Sequence, residues 1–148
     1  METSHLEQHI RLLNERNKTC IVLSNGKIIF ESAAFGVKPL RELRQSGFKK
    51  QPEDHLTLID RVIGKGALIL AQLIGIDEIF TPLTSQHALR YSQVINLPIT
   101  YQVKVPMIQN RTRTGMCPIE ESVINTSDPH TGEANIEAAI TLLMKQAR

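Results

Sequence analysis

The chain has little of what marks several common protein classes. It contains no Trp, aromatic residues make up 4% of its 148 residues, and it has two Cys. Few aromatic side chains disfavour single-stranded RNA binding by base stacking. Two cysteines do not make the disulfide framework of a small secreted protein. The N-terminus lacks the basic and apolar regions of a signal peptide, and no apolar run reaches the ~18 residues that span a bilayer. We therefore expect a cytoplasmic protein without a membrane segment.

The charge of the chain is also nearly balanced. It has 17 Lys and Arg against 15 Asp and Glu, a formal net charge of +2. This charge gives no general attraction to nucleic acid, so a basic site would have to be local. Length and a 41% hydrophobic content fit one globular domain over residues 1–148.

Local patterns predict a mixed α/β fold. Asn25-Gly26 separates two β-rich runs, which is a strong hairpin signal. Residues 56–76 read as one long buried helix, residues 77–82 and 99–105 as strands, and Thr84-Ser85 as the cap of a helix between those strands. The last helix is expected at about residues 133–145, with Thr131 as its cap. The order favours an α/β sandwich whose mixed sheet starts with a β-hairpin.

The segment 114–121 carries the clearest chemical signal. Cys117 precedes Pro118 at the start of a predicted short helix, shortly after Arg111. A thiolate or a bound anion is stabilised at a helix N-terminus near cations. Cys117 is therefore a candidate nucleophile with Glu120 or Glu121 as acid or base, while a small packed side chain is the alternative.

Two further helix starts are expected at the same end of the sheet. Ligands of open α/β sheets bind beyond the carboxyl ends of the strands. An anionic ligand could bind backbone N–H groups and a lysine there. The alternative is that Gly64 and Gly66 only allow close packing of the helix on the sheet, while Lys65 reaches solvent. The candidate ligand-binding residues are Asp60, Gly64, Lys65, Gly66, Thr84, Ser85 and Arg111. For Asp60, the alternative roles are capping of the helix and pairing with a neighbouring Arg.

Three strings, residues 36–40, 60–67 and 115–120, together resemble a small prokaryotic family of unknown function with a cytidine-deaminase-like fold. The resemblance covers roughly residues 12–123 and leaves the last helix outside. It implies a three-layer α/β/α sandwich. Zinc deaminases carry His-x-Glu and Pro-Cys-x-x-Cys motifs, and these would fall on Val62-Ile63-Gly64 and on residues 82–86. Those residues cannot bind zinc or move a proton, so we expect neither a metal nor another cofactor, and no zinc-dependent deaminase.

Two classes of function remain open from the sequence. The first is a metal-free, vestigial deaminase-like cleft that binds an anionic or nucleotide-like small molecule, with or without catalysis by Cys117. The second is a non-catalytic regulatory or interaction module that binds a protein partner or, less favoured, RNA through a basic cluster of Lys38, Arg41, Arg44, Lys49 and Lys50. The apolar C-terminal helix allows a homodimer as the partner.

Overall fold

The computed structural model describes residues 2–146, with side chains from residue 5 onward, and these residues form six helices and six strands. The helices are α1 (Glu2–Arg16), α2 (Lys38–Gln45), α3 (Lys65–Ile74), α4 (Gln86–Ile95), α5 (Pro118–Ser122) and α6 (Pro129–Gln146). The strands are β1 (Cys20–Ser24), β2 (Lys27–Ser32), β3 (Leu56–Asp60), β4 (Val62–Ile63), β5 (Glu78–Ser85) and β6 (Ile99–Val105). The mixed α/β prediction is confirmed at this level.

All six strands belong to one mixed sheet. Strand β1 runs antiparallel to both β2 and β3, while β5 runs parallel to β3, β4 and β6. Strands β3 and β4 follow one another along the same side of β5, and β6 lies on its other side. Asn25 and Gly26, which connect β1 to β2, both have positive φ. The carboxyl ends of β4, β5 and β6 therefore meet at one edge.

Hydrophobic clusters lie on both faces of the sheet. Because side chains alternate along a strand, Cys20 and Val22 of β1 join one cluster and Ile21 joins the other. Helix α1 covers the smaller cluster through Leu6 and Leu13. The larger cluster contains buried residues from the remaining helices, and α3 lies at its centre against α2, α4, α5 and α6. Helices thus flank the sheet on both sides.

The long helix predicted over residues 56–76 is wrong in its first part. Leu56–Asp60 forms a strand that is buried along its whole length, Val62 and Ile63 form the short β4, and the helix begins only at Lys65. A strand buried on both faces is apolar throughout, as a buried helix is, so hydrophobicity alone did not separate the two.

Two predicted caps have different outcomes. The cap at Ser85 is confirmed, since its hydroxyl accepts a hydrogen bond from the Ala88 N–H at 3.1 Å. Helix α6 begins earlier than predicted, at Pro129, and Asp128 rather than Thr131 accepts a backbone hydrogen bond, from the Thr131 N–H at 2.9 Å. Within residues 2–146, no helix has the length and apolar character needed to cross a bilayer.

Candidate functional site

The candidate site is built around the carboxylate of Glu120. Glu120 is only 2% exposed and lies two residues after Pro118, the first residue of α5. Its Oε2 accepts a hydrogen bond from the Lys65 N–H at 2.9 Å, and its Oε1 accepts one from the Ile108 N–H at 2.7 Å. The Ser85 hydroxyl also donates to Oε2. The carboxylate therefore joins the starts of α3 and α4 to the segment that follows β6.

Ser85 has two roles at this point. Its hydroxyl donates to Glu120 and accepts from the N–H of Ala88 in the first turn of α4. Thr84 beside it donates to the Ile63 carbonyl at 2.7 Å, which ties the ends of β5 and β4 together. Both residues are fully buried. The carboxylate is thus held by donors that are themselves fixed by the sheet and by a helix cap, and the positive ends of two helix dipoles favour its charge.

Lys65 is a buried residue, and its ammonium contacts groups other than Glu120. Its Nζ donates to the Ile124 carbonyl at 2.9 Å and lies 5.2 Å from the centroid of the Tyr91 ring. Burial lowers the pKa of Lys65, while the charge of Glu120 acts in the opposite direction. The interpretation of Lys65 as a solvent-directed side chain is therefore wrong, because its ammonium is held within the fold by a carbonyl and an aromatic face.

Gly64 and Gly66 allow the α5 segment to approach the start of α3. A Cβ at Gly64 would lie 3.1 Å from Glu120 Oε2 and 3.0 Å from the Ile108 side chain. A Cβ at Gly66 would lie 2.8 Å from Ile119 Cγ2. Both glycines therefore permit a close approach, but to the α5 segment and not to the sheet, and at Gly64 the neighbours include the buried carboxylate itself.

Cys117 stands at the N-cap position of α5 and is half-buried. Its backbone N–H donates to the Ile108 carbonyl at 2.7 Å, and its side chain makes no cap hydrogen bond. Among residues 5–146, no recorded hydrogen bond connects its Sγ to a histidine or a carboxylate. Cys117 thus lies at a helix start, as the sequence predicts. Glu120, its predicted acid or base, has both carboxylate oxygens bound by other donors.

Two other predicted site residues do not join the Glu120 cluster. Arg111 is exposed in the segment between β6 and α5, and no recorded hydrogen bond or ion pair in the described residues links it to Glu120. Asp60 lies at the end of β3 opposite Cys20 of β1. It does not cap α3, whose N-cap residue is Gly64.

Asp60 is a buried carboxyl group opposite Cys20 of β1. Its Oδ1 accepts a long hydrogen bond of 3.4 Å from the Val62 N–H, and its Oδ2 has no partner. Burial raises the pKa of Asp60 to about 8, and it raises the pKa of the Cys20 thiol as well. This raised pKa favours the protonated form of Asp60, which would bring no negative charge to a ligand site.

Several contacts of the site were missed from the sequence. The sequence does not indicate three partners: the Ile108 N–H, the Ile124 carbonyl and the Tyr91 ring. Tyr91 follows Ala88 on α4 by three residues, which is a spacing typical of one inward-facing helix side. Backbone groups carry no residue-type signal at all. Among the described residues, no group of three or more His, Cys, Asp or Glu is arranged to hold a metal ion.

The basic cluster considered for RNA is largely neutralised. Arg41 binds Glu137 and Arg44 binds Glu133 through paired guanidinium hydrogen bonds of 2.6–3.3 Å. Lys50 contacts both oxygens of Asp77 at 2.8 Å. Phosphate binding requires cations that are available to phosphate oxygens, so this face offers less positive charge than its sequence indicated.

Comparison with known proteins gives a consistent family assignment without a function. Residues 8–140 match the model of a family described as a domain of unknown function, DUF1893. The fold is similar to the crystal structure of a DUF1893 family protein from Thermotoga maritima at 2.70 Å resolution, with a TM-score of 0.77 and 26% sequence identity. That match covers 93% of this chain and 88% of the Thermotoga chain. A search of curated proteins found no match.

Proposed function

This chain belongs to the DUF1893 family, and from that premise we propose that it binds a small anionic ligand at the joined starts of α3 and α4. The observation that carries the proposal is the buried Glu120 carboxylate, which accepts hydrogen bonds from Lys65 N–H, Ile108 N–H and the Ser85 hydroxyl. These donors bind a carboxylate of the protein itself. An oxyanion of a ligand has the same requirement for donors and positive potential.

In the proposed mechanism the ligand displaces Glu120 from this site. Glu120 sits on a helix of only five residues, next to the segment that carries Arg111 and Cys117. A local shift of α5 therefore frees the donors without unfolding the sheet or α3. The buried ammonium of Lys65 then compensates the ligand's negative charge, and the exposed Arg111 adds positive charge at the entrance.

We also propose that this site is a vestigial, metal-free form of a cytidine-deaminase-like cleft. The support is that the segments on which the two zinc motifs would fall, around Gly64 and around Ser85, converge on one carboxylate. Gly64 supplies no ligand or proton-transferring group at that place. A nucleotide-like ligand is therefore expected to be held by its phosphate or carboxylate and not through a metal.

The experiment uses Glu120→Ala, which removes the resident carboxylate and leaves its three donors free. Acetate or phosphate is expected to raise the melting temperature of this variant by several degrees more than that of the natural protein. Glu121→Ala removes an exposed carboxylate from the same helix and should respond as the natural protein does. A nucleoside monophosphate should raise the melting temperature of the natural protein itself, through displacement of Glu120.

Equal responses of Glu120→Ala and Glu121→Ala to every anion would contradict the proposed site. A shift with acetate and phosphate in Glu120→Ala, but none with a nucleotide panel in the natural protein, would retain anion recognition and remove the nucleotide-like ligand. Circular dichroism of both variants at the start of the titration distinguishes a folded protein with an open site from a protein that has lost its fold.

The proposal assigns Cys117 a lining position and no covalent step. No recorded hydrogen bond within residues 5–146 supplies its Sγ with a base, and a nucleophilic thiol needs one or a cationic neighbour. We expect the iodoacetamide rate of Cys117 at neutral pH to be near that of free cysteine, measured by mass spectrometry, with Cys117→Ser as the control for reaction at the buried Cys20. A rate tenfold or more above free cysteine would restore the enzyme interpretation.

A further inference from the structure

One edge of the sheet is left without a partner strand. Residues Tyr101 to Lys104 at the middle of β6 are all exposed, and within residues 2–146 β6 pairs only with β5. The Ile79 N–H donates to the Pro98 carbonyl at 3.0 Å, so the backbone groups of even-numbered residues point towards β5. Alternation along the strand then directs the N–H and C=O groups of the odd-numbered residues, Ile99 to Val105, towards the open edge.

The side chains of these odd-numbered residues are apolar. Ile99 packs on the larger hydrophobic cluster, which places Tyr101 and Val103 on the same face as helix α4. Tyr101 is 39% exposed and Val103 is 51% exposed, and Val94 on α4 is 72% exposed. Unpaired backbone groups and an apolar stripe thus coincide on β6.

From this coincidence we propose that β6 pairs antiparallel with β6 of a second copy of the chain, about a two-fold axis at Gln102. This register pairs Tyr101 with the partner's Val103, Ile99 with the partner's Val105, and Thr100 with the partner's Lys104. All seven residues of β6 are used, and the odd-numbered residues form the hydrogen-bonded pairs, with about eight backbone hydrogen bonds. Aromatic and β-branched residues opposite one another stabilise such pairs, and no like charges meet.

A second copy fits this edge because the strand is self-complementary about one residue. Shifting the axis to Tyr101 or Val103 keeps the hydrogen-bonding pattern but leaves residues at the strand ends unpaired. The opposite edge, β2, does not offer the same surface. Its pairing with β1 has a register shift between Val22 and Leu23, and its Glu31 is engaged by Arg16 at 2.6 Å. Irregular and charged edges resist further pairing.

The first test is sedimentation equilibrium of the full chain between about 1 μM and about 1 mM, since a single strand pair with a small apolar patch predicts a dimer of micromolar affinity. Val103→Pro removes an N–H that points to the open edge and not to β5. It is expected to weaken the dimer at least tenfold and leave the secondary structure unchanged. A monomer over the whole concentration range for the natural chain would overturn the proposal.

The register has its own test, in a Cys117→Ser background. Gln102→Cys places two thiols directly opposite one another at the axis, with Cα atoms about 4.5 Å apart. Lys104→Cys points to the same face, but its two copies lie about 14 Å apart along the strands at about 3.4 Å per residue. Oxidation should give a covalent dimer of Gln102→Cys and not of Lys104→Cys. Equal cross-linking of both variants, or none of Gln102→Cys, would contradict this register.

Discussion

Replacing Glu120 by alanine is expected to lower the free energy of unfolding by about 3–5 kcal/mol in the absence of added anions. The change leaves three hydrogen-bond donors without an acceptor: Lys65 N–H, Ile108 N–H and the Ser85 hydroxyl. It also removes the negative charge of Glu120, which raises the pKa of the Lys65 side chain. The contacts of Lys65 N–H and Ser85 are buried and that of Ile108 N–H is partly buried, so solvent replaces the missing acceptor poorly.

Urea unfolding followed by circular dichroism measures this effect. The exposed Glu121 on the same helix is the matched control, and Glu121→Ala should change the free energy of unfolding by no more than about 0.5 kcal/mol. If Glu120→Ala were as stable as Glu121→Ala, the buried carboxylate would not be the link between α3, α4 and α5. The proposed anion site would then lose its structural basis.

A double-mutant cycle isolates the contact between Glu120 and Ser85. Ser85→Ala alone is expected to cost about 1–2 kcal/mol, because it removes the cap of α4 as well as a donor to the carboxylate. In the Glu120→Ala background the same change should cost less, since that donor is then already without its partner. Additive losses would show that Ser85 contributes only through the helix cap.

The two helix starts at this site illustrate what the sequence can predict. Ser85 was identified as a cap because a hydroxyl residue before an amphipathic run has few other local roles. The start of α3 was misplaced, because residues 56–63 are apolar enough to be a helix or a buried strand. Pairing with β1 and β5 selects the strand, and those partners are distant in the sequence.

The residues of the site were also more predictable than their contacts. Lys65, Ser85 and Glu120 were all candidates, each from its position near a helix start. Their convergence was not predictable, because Glu120 is 55 residues from Lys65 and 35 from Ser85. Its donor Ile108 contributes a backbone N–H, which any residue except proline would provide. A nucleophilic role for Cys117 depended on a base that only the tertiary structure could place.

Asp60 leads to a separate prediction, a loss of stability as pH rises through neutrality. Its carboxyl is buried, Oδ2 has no hydrogen-bond partner, and burial raises its pKa from 3.8 to about 8. Below about pH 4 the group is protonated in both the folded and the unfolded chain. Between about pH 4 and 8 only the folded chain retains the proton, so the free energy of unfolding falls as pH rises, by up to about 1.4 kcal/mol per pH unit.

Asp60→Asn keeps the shape of the protonated side chain and removes this titration. The charged or titratable groups that influence Asp60 are Cys20 and Arg61. Burial raises the pKa of the Cys20 thiol, away from this range. Urea unfolding at pH 5, 6, 7 and 8 should therefore give a free energy of unfolding that depends less on pH for Asp60→Asn than for the natural protein. The stability of the variant relative to the natural protein should rise with each pH unit.

Asp54→Asn is the matched control, because hydrogen bonds from Ser24 and Gln51 lower the pKa of Asp54 and place its titration below this range. Its curve should run parallel to that of the natural protein between pH 5 and 8. If the Asp60→Asn curve were also parallel, Asp60 would be ionised in the folded chain. An ionised Asp60 would need a positive partner close to Oδ2, and within the described residues that oxygen has no hydrogen-bond partner.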